Sequence, residues 1–162
     1  LLIEALHRLR SERDDLELVV FGQRGPREPL DPGFPVHYTG PLHDDLSLRM
    51  VYSAGDVMVV PSRMEAFGQT ASEAHACGTP VVAFDATGLR DIVTHQQTGY
   101  LATPYDPTDL AHGITWTLAH NPAPHHPLSQ AARAKAEQEY DPEKVAGEYV
   151  GVYREAMGTM KA

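Results

Sequence analysis

The spacing of apolar positions changes repeatedly along the chain. Leu1, Leu2, Ala5, Leu6 and Leu9 recur at helical spacing. Short, unbroken, β-branched runs follow at 16–21 (LELVVF), 57–60 (VMVV) and 81–84 (VVAF), the first two closed by Gly22 and Pro61. Such runs predict parallel strands buried on both faces. Weaker strand patterns stand at 36–39 (VHYT) and 99–102 (GYLA). Between them the helical period returns at 45–54, 68–76, 89–93 and 107–119. Punctuation agrees with the periods: Asp44-Asp45 and Asp106-Pro107 read as helix starts, and Gly78 as a left-handed helix stop. Strands alternating with helices predict an α/β fold, a Rossmann-like open parallel sheet with helices on both faces. Ligands of such sheets bind at the carboxyl ends of the strands. That directs attention to four loops: 22–26, 40–43, 61–67 and 85–88.

The two ends read differently. The opening helix has no capping residue and no initiator Met, which is expected of a piece excised from a longer chain. Pro122, Pro124 and Pro127 with His125 and His126 form a breaker-rich connector. Helices at 128–139 and 142–157 follow, the second opened by Asp141-Pro142 and carrying Val145, Tyr149, Val152 and Tyr153 as an apolar stripe. This stripe is expected to pack toward a domain outside the chain.

At 162 residues and 17.8 kDa the chain fits a single domain. Lys and Arg total 13 against 22 Asp and Glu, a formal net charge of −9. That balance argues against nucleic acid or an anionic membrane as the main partner, but permits one local anion pocket. The lone Cys77 cannot form an internal disulfide and reads as a small buried residue. No run approaches a membrane span, so the expected location is cytoplasmic, or peripheral at a membrane in the intact protein. The histidines lack paired ligand spacing, and Asp14-Asp15 precedes a strand rather than following one, so no metal is expected.

The chemistry concentrates at 61–74, PSRMEAFGQTASEA. A strand ends at Pro61, a loop carries Glu65, and a helix starts near Gly68. The free amides of Gly68, Gln69 and Thr70, with the helix dipole behind them, suit a phosphate. Glu73 lies on the second turn of that helix. A carboxylate on each side of a phosphate site suits a ligand with hydroxyls on both sides of its phosphate, such as a sugar and a ribose. Arg63 reads as an exposed loop residue, and Arg24 as a candidate to face the diphosphate from the loop after the first strand.

The series PS-x-x-E-A-F-G-x-x-x-x-E-A-x-A-x-G-T-P-V-V-A resembles the donor-side signature of retaining glycosyltransferases of the GT-B fold, family 4 type. Residues 36–42 and 52–57 upstream, and 88–93 and 98–101 downstream, follow that family's order. The resemblance implies the donor-nucleotide-binding, C-terminal half of a GT-B enzyme. That enzyme moves a sugar from a nucleoside diphosphate sugar to a glycan or lipid-linked acceptor with retention, without bound cofactor or metal. It implies that Glu65, the catalytic-site candidate, contacts the donor sugar. Ala66, Phe67, Gly68, Gln69 and Thr70 would hold sugar and diphosphate through their backbone, and Glu73 the ribose. Gly22 and the loop after Gly40, with Leu42, would complete the nucleotide site, the latter flanking the base. The family's diphosphate-binding Arg and Lys, and its whole N-terminal domain, would lie upstream of Leu1, so the chain alone is expected to be inactive. Thr87-Gly88 stands where Gly-Gly is common, and Asp91 where Glu is common. The alternatives are one half of a sugar-nucleotide epimerase, or a non-catalytic α/β nucleotide-binding module.

Overall fold

A computed structural model describes residues 1–22, 25, 31–121 and 126–159. Arg24 and the connector residues Pro122, Pro124 and His125 lie outside the described residues. In chain order the elements are α1 (Leu2–Arg10), β1 (Leu18–Phe21), β2 (Val36–Gly40), α2 (Asp45–Ala54), β3 (Met58–Val60), α3 (Gln69–Ala76), β4 (Val81–Phe84), α4 (Leu89–Ile92), β5 (Gly99–Ala102), α5 (Pro107–His120), α6 (Pro127–Glu139) and α7 (Pro142–Thr159). All strand pairs are parallel. β1 pairs with β2 in one ladder, and β3, β4 and β5 pair in chain order in another.

β4 explains the layering. All four of its residues are buried, and successive side chains point to opposite faces. Val82 and Phe84 join Ala5, Leu6 and Leu9 of α1 and Leu110 and Ile114 of α5 in one cluster. Val81 and Ala83 join Ala71 and Ala74 of α3, with Leu89 and Ile92 of α4, in the other. Each large side chain so enclosed contributes roughly 1.5–3 kcal/mol. Leu18 of β1 and Val59 of β3 pack against the first cluster, so one apolar layer spans both ladders.

The run at 16–21 is not buried on both faces as its composition predicts: Val19 is 50% exposed and Glu17 is also exposed. Among the described residues, β1 has a hydrogen-bonded neighbour on one edge only, whereas β4 has one on each. Cys77 is likewise half-buried rather than buried.

The helix boundaries follow local chemistry. The Asp44 carboxylate accepts from the Ser47 amide at 2.8 Å, and Asp106 accepts from Thr108 at 2.8 Å. Asp141 caps α7 through the amides of Glu143 and Lys144, both at 3.0 Å. α3 stops at Gly78, with φ +78°. α6 crosses that stop: the Ser129 hydroxyl donates to Gly78 O and the Arg133 guanidinium to Ala76 O, cations suiting a helix carboxyl end. α7 leaves the body: Tyr149, Val152, Tyr153 and Met157 are each about three-fifths exposed, and only Val145 is half-buried. Among the described residues, no helix is long and apolar enough to cross a membrane.

His75 of α3 is fully buried, and its Nε2 donates to Thr98 O at 3.0 Å while Nδ1 has no partner among the described residues. Burial lowers its pKa from 6.5 to about 4, with Lys135 adding to the effect and Glu139 opposing it. Between those values the unfolded chain binds a proton that the native state refuses, so stability falls as pH drops through that window. The loss should reach roughly 2 kcal/mol by pH 5. Denaturant midpoints taken between pH 7.5 and pH 5 should show this slope, and His75→Gln should flatten it. An equal slope in both proteins would assign it to other groups.

Candidate functional site

β3 and β4 are adjacent and parallel, so the loops after them emerge side by side. Two hydrogen bonds lace these loops together. The Glu65 amide donates to Thr87 Oγ1 at 3.0 Å, and the Gly88 amide donates to Glu65 O at 3.0 Å. Thr87 adopts a left-handed backbone, φ +48°, to make its bond. Gly88 is demanded by space: a Cβ there would sit 2.6 Å from Ala66 O and 2.8 Å from Phe67 Cα. The loop after β4 is stiffened by Arg90, whose Nε lies 2.7 Å from Asp85 Oδ1.

The lacing delivers the chain to Gly68, the N-cap of α3, with φ +96° and ψ +53°. A Cβ there would lie 2.8 Å from Leu89 Cδ2. Gly68 O takes the amides of Ala71 and Ser72, so those of Gln69 and Thr70 precede the first intrahelical acceptor. Ala66, Phe67, Gln69 and Thr70 are exposed, and Gly68 is buried. The Phe67 ring packs edge-on against Tyr140, with centroids 5.3 Å apart. The result is an open amide edge of the kind that binds anions.

Glu65 and Glu73, both half-buried, stand on either side of this edge in the chain. Glu73 is already held. Its Oε2 accepts from Tyr52 Oη at 2.8 Å and its Oε1 from Gln69 Nε2 at 3.0 Å. A carboxylate has about four acceptor positions, so two of them remain for a ligand hydroxyl. Tyr52 is only 3% exposed and packs edge-on against Phe21, with centroids 5.2 Å apart. Burial, reinforced by the Glu73 carboxylate, raises the Tyr52 pKa, so the phenol stays a donor. Sequence reasoning missed Tyr52 and Thr87 as supports of the two glutamates. Their only local signal was their place in the two flanking segments.

The remaining sequence-derived residues lie at the carboxyl ends of β1 and β2. The Gly22 amide donates to Gly40 O at 3.1 Å, both glycines having positive φ, and Leu42 follows half-buried. The structure links this pair of strand ends to Glu73 through Phe21 and Tyr52. Arg63 is exposed, as the sequence suggested. Among the described residues, no group of three or more His, Cys, Asp or Glu is arranged to hold a metal. A cavity of about 690 Å³ lies at the opposite, amino-terminal ends of β3 and β4, between Asp56, Gly78, Asn121 and Arg133. It is separate from the amide edge.

Parallel ladders with helices on both faces define the class: the Rossmann-like architecture of one half of the GT-B fold. The chain belongs to the family "glycosyl transferases group 1", whose model matches residues 1–120. It is 36% identical to a D-inositol 3-phosphate glycosyltransferase of Geodermatophilus obscurus, over 100% of this chain and 38% of that protein. It is 32% identical to an uncharacterized glycosyltransferase of Methanocaldococcus jannaschii, over 98% of this chain and 42% of that protein. Sucrose-phosphate synthase from Thermosynechococcus elongatus superposes with a TM-score of 0.80 at 31% identity, over 98% of this chain and 43% of its own. The chain therefore spans about two-fifths of the length of these relatives.

The crowding at Gly88 has a direct consequence. Gly88→Ala should force the Ala66–Phe67 backbone outward and cost about 1–3 kcal/mol, as overpacking does. Chemical denaturation should show a lowered midpoint with an unchanged slope. A variant as stable as the parent would mean that the two loops separate freely.

Proposed function

We propose that this chain is the donor-binding half of a retaining glycosyltransferase, which moves a sugar from a nucleoside diphosphate sugar to an acceptor. The observation that carries the reading is the open amide edge of 66–70 with Glu65 before it and Glu73 behind it. In this reading Glu65 accepts hydrogen bonds from hydroxyls of the donor sugar. The amides of Gly68, Gln69 and Thr70 face the diphosphate. Their dipoles are fixed before the reaction, and they stabilise charge that grows on the diphosphate as it leaves. Glu73, oriented by Tyr52 and Gln69, accepts from the ribose, while Gly22 and Leu42 border the nucleotide. No step of this scheme requires a metal or cofactor.

The acceptor site and the cations that neutralise the diphosphate belong to the part of the protein outside this chain. The length of the relatives supports this division, since the chain spans only 38% and 43% of two of them. The exposed stripe of α7, Tyr149, Val152 and Tyr153, is the surface that the other domain covers. The isolated chain then binds nucleotide weakly and does not turn over, since catalysis of this kind positions two substrates at once. The intact enzyme works in the cytoplasm or at a membrane surface facing it.

Two substitutions in the intact enzyme test the site. Glu73→Gln should weaken both the bare nucleoside diphosphate and the full donor. Glu65→Gln should spare the bare nucleotide and damage donor use. A hydrogen bond to a charged group is worth roughly 1.5–3 kcal/mol, about 10- to 150-fold in affinity. Calorimetric titration with nucleotide alone and with donor separates the two. Tyr52→Phe serves as the control for loss of support alone. Equal losses of bare nucleotide in both glutamate variants would end the division of roles, and no loss in either would end the site assignment.

A further inference from the structure

Three non-glycine residues among those described have positive φ: Thr87, Gln96 and Tyr105. Thr87 uses its conformation to hold Glu65. Tyr105, at φ +67°, is the bulkiest of the three, and a large side chain at such φ is a strained arrangement that persists only when its surroundings over-determine it. Its turn, which follows β5, is rigidly pinned. The Asp106 amide donates to Thr103 O at 3.1 Å. The Thr103 amide and hydroxyl both donate to Asp109 Oδ2 at 2.7 Å, and the Tyr100 hydroxyl donates to Asp109 Oδ1 at 2.9 Å.

From that turn Tyr105 reaches past β4 to the loop after β3. Its ring meets the buried Phe84 at the end of β4, with centroids 5.8 Å apart and planes at 65°. Its hydroxyl donates to Arg63 O at 3.2 Å, and the Arg63 guanidinium lies over its ring, 5.7 Å from the centroid. One side chain therefore grips Arg63 by both its backbone and its charge, two residues ahead of Glu65. On the other side Thr87 and Gly88 grip Glu65 itself. The loop is anchored from two different strand ends.

We propose that Tyr105 is a positioning residue for sugar transfer: it clamps Arg63 and so sets the height of the loop that presents Glu65 to the donor sugar. This rests on the reading of Glu65 as the residue that contacts that sugar. A left-handed turn is most easily filled by glycine, which relieves the strain and keeps the turn. The strained tyrosine is retained for the contact with the loop, and the ring also covers one edge of Phe84.

The test uses the intact enzyme with Tyr105→Gly and Tyr105→Phe. Glycine suits the backbone and removes the clamp, so the fold should survive with little change in melting temperature. Efficiency with the nucleotide sugar, kcat/KM, should fall about 10- to 100-fold, as when a reacting group is misplaced by about an ångström. Binding of the bare nucleoside diphosphate should be unchanged, because the amides of 68–70 and Glu73 are anchored elsewhere. Amide hydrogen exchange across 62–67 should quicken in Tyr105→Gly. Phenylalanine, which keeps the ring beneath Arg63 but loses the hydroxyl, should recover part of the efficiency. Parental efficiency in Tyr105→Gly would overturn the proposal. So would loss of bare-nucleotide binding in step with a lowered melting temperature, which marks a merely structural tyrosine. Glu65→Gln run alongside keeps the two ideas apart. If Glu65→Gln transfers normally, the site reading fails; if it is impaired while Tyr105→Gly is not, only the clamp fails.

Discussion

The burial of Val81–Phe84 on both faces is the constraint from which the rest of this molecule follows. Val82 and Phe84 tie it to α1 and α5, while Val81 and Ala83 tie it to α3 and α4. Because its register with β3 is set residue by residue, Met58 with Val81 and Val60 with Ala83, the two strands end together. Their loops then have no choice but to meet. Glu65, Thr87 and Gly88 are held by that meeting, and Gly68 delivers the chain into α3 from a fixed point. A one-residue slip of β4 would turn Val81 and Ala83 toward α5 and separate the loops at the same stroke.

The charge around the proposed site is arranged in an unusual way for an anion ligand. The chain carries a formal net charge of −9, and two carboxylates bracket the amide edge in sequence. In the proposed reading, attraction for phosphate comes from backbone dipoles at the start of α3, where the helix field and unbonded N–H groups add. The two glutamates are held in different ways. Tyr52 and Gln69 occupy two acceptor positions of Glu73, and the backbone of Glu65 is tied to the loop after β4. Their remaining acceptor positions suit hydroxyl donors, so the proposed donor would meet amides and carboxylates together.

Stability and function are divided along the chain. α1 packs into the core although it lacks an N-cap side chain, because Ala5, Leu6 and Leu9 are enclosed by α5 and β4. α7 is the opposite case: capped well by Asp141, it is exposed from Pro142 to Gly158 apart from Val145. A helix of 18 residues with its aromatics in solvent derives little of its order from this core.

Much of this was legible in the sequence, and the reason is locality. The limits of β4 and β5, the caps at Asp44, Asp106 and Asp141, the stop at Gly78 and the stretch from Glu65 to Glu73 all depend on neighbours a few residues away. Period and turn chemistry report such features directly. Tertiary structure alone decided the rest. The buried partner of Glu73 is 21 residues distant at Tyr52, the support of Glu65 is 22 residues distant at Thr87, and Tyr105 meets Arg63 across 42 residues. The exposure of Val19 was equally hidden, since a valine in a strand reads the same at an edge as at the centre. Which residues meet across the strand ends is set by parallel pairing and by the packing of two helical layers, and no local pattern carries that information.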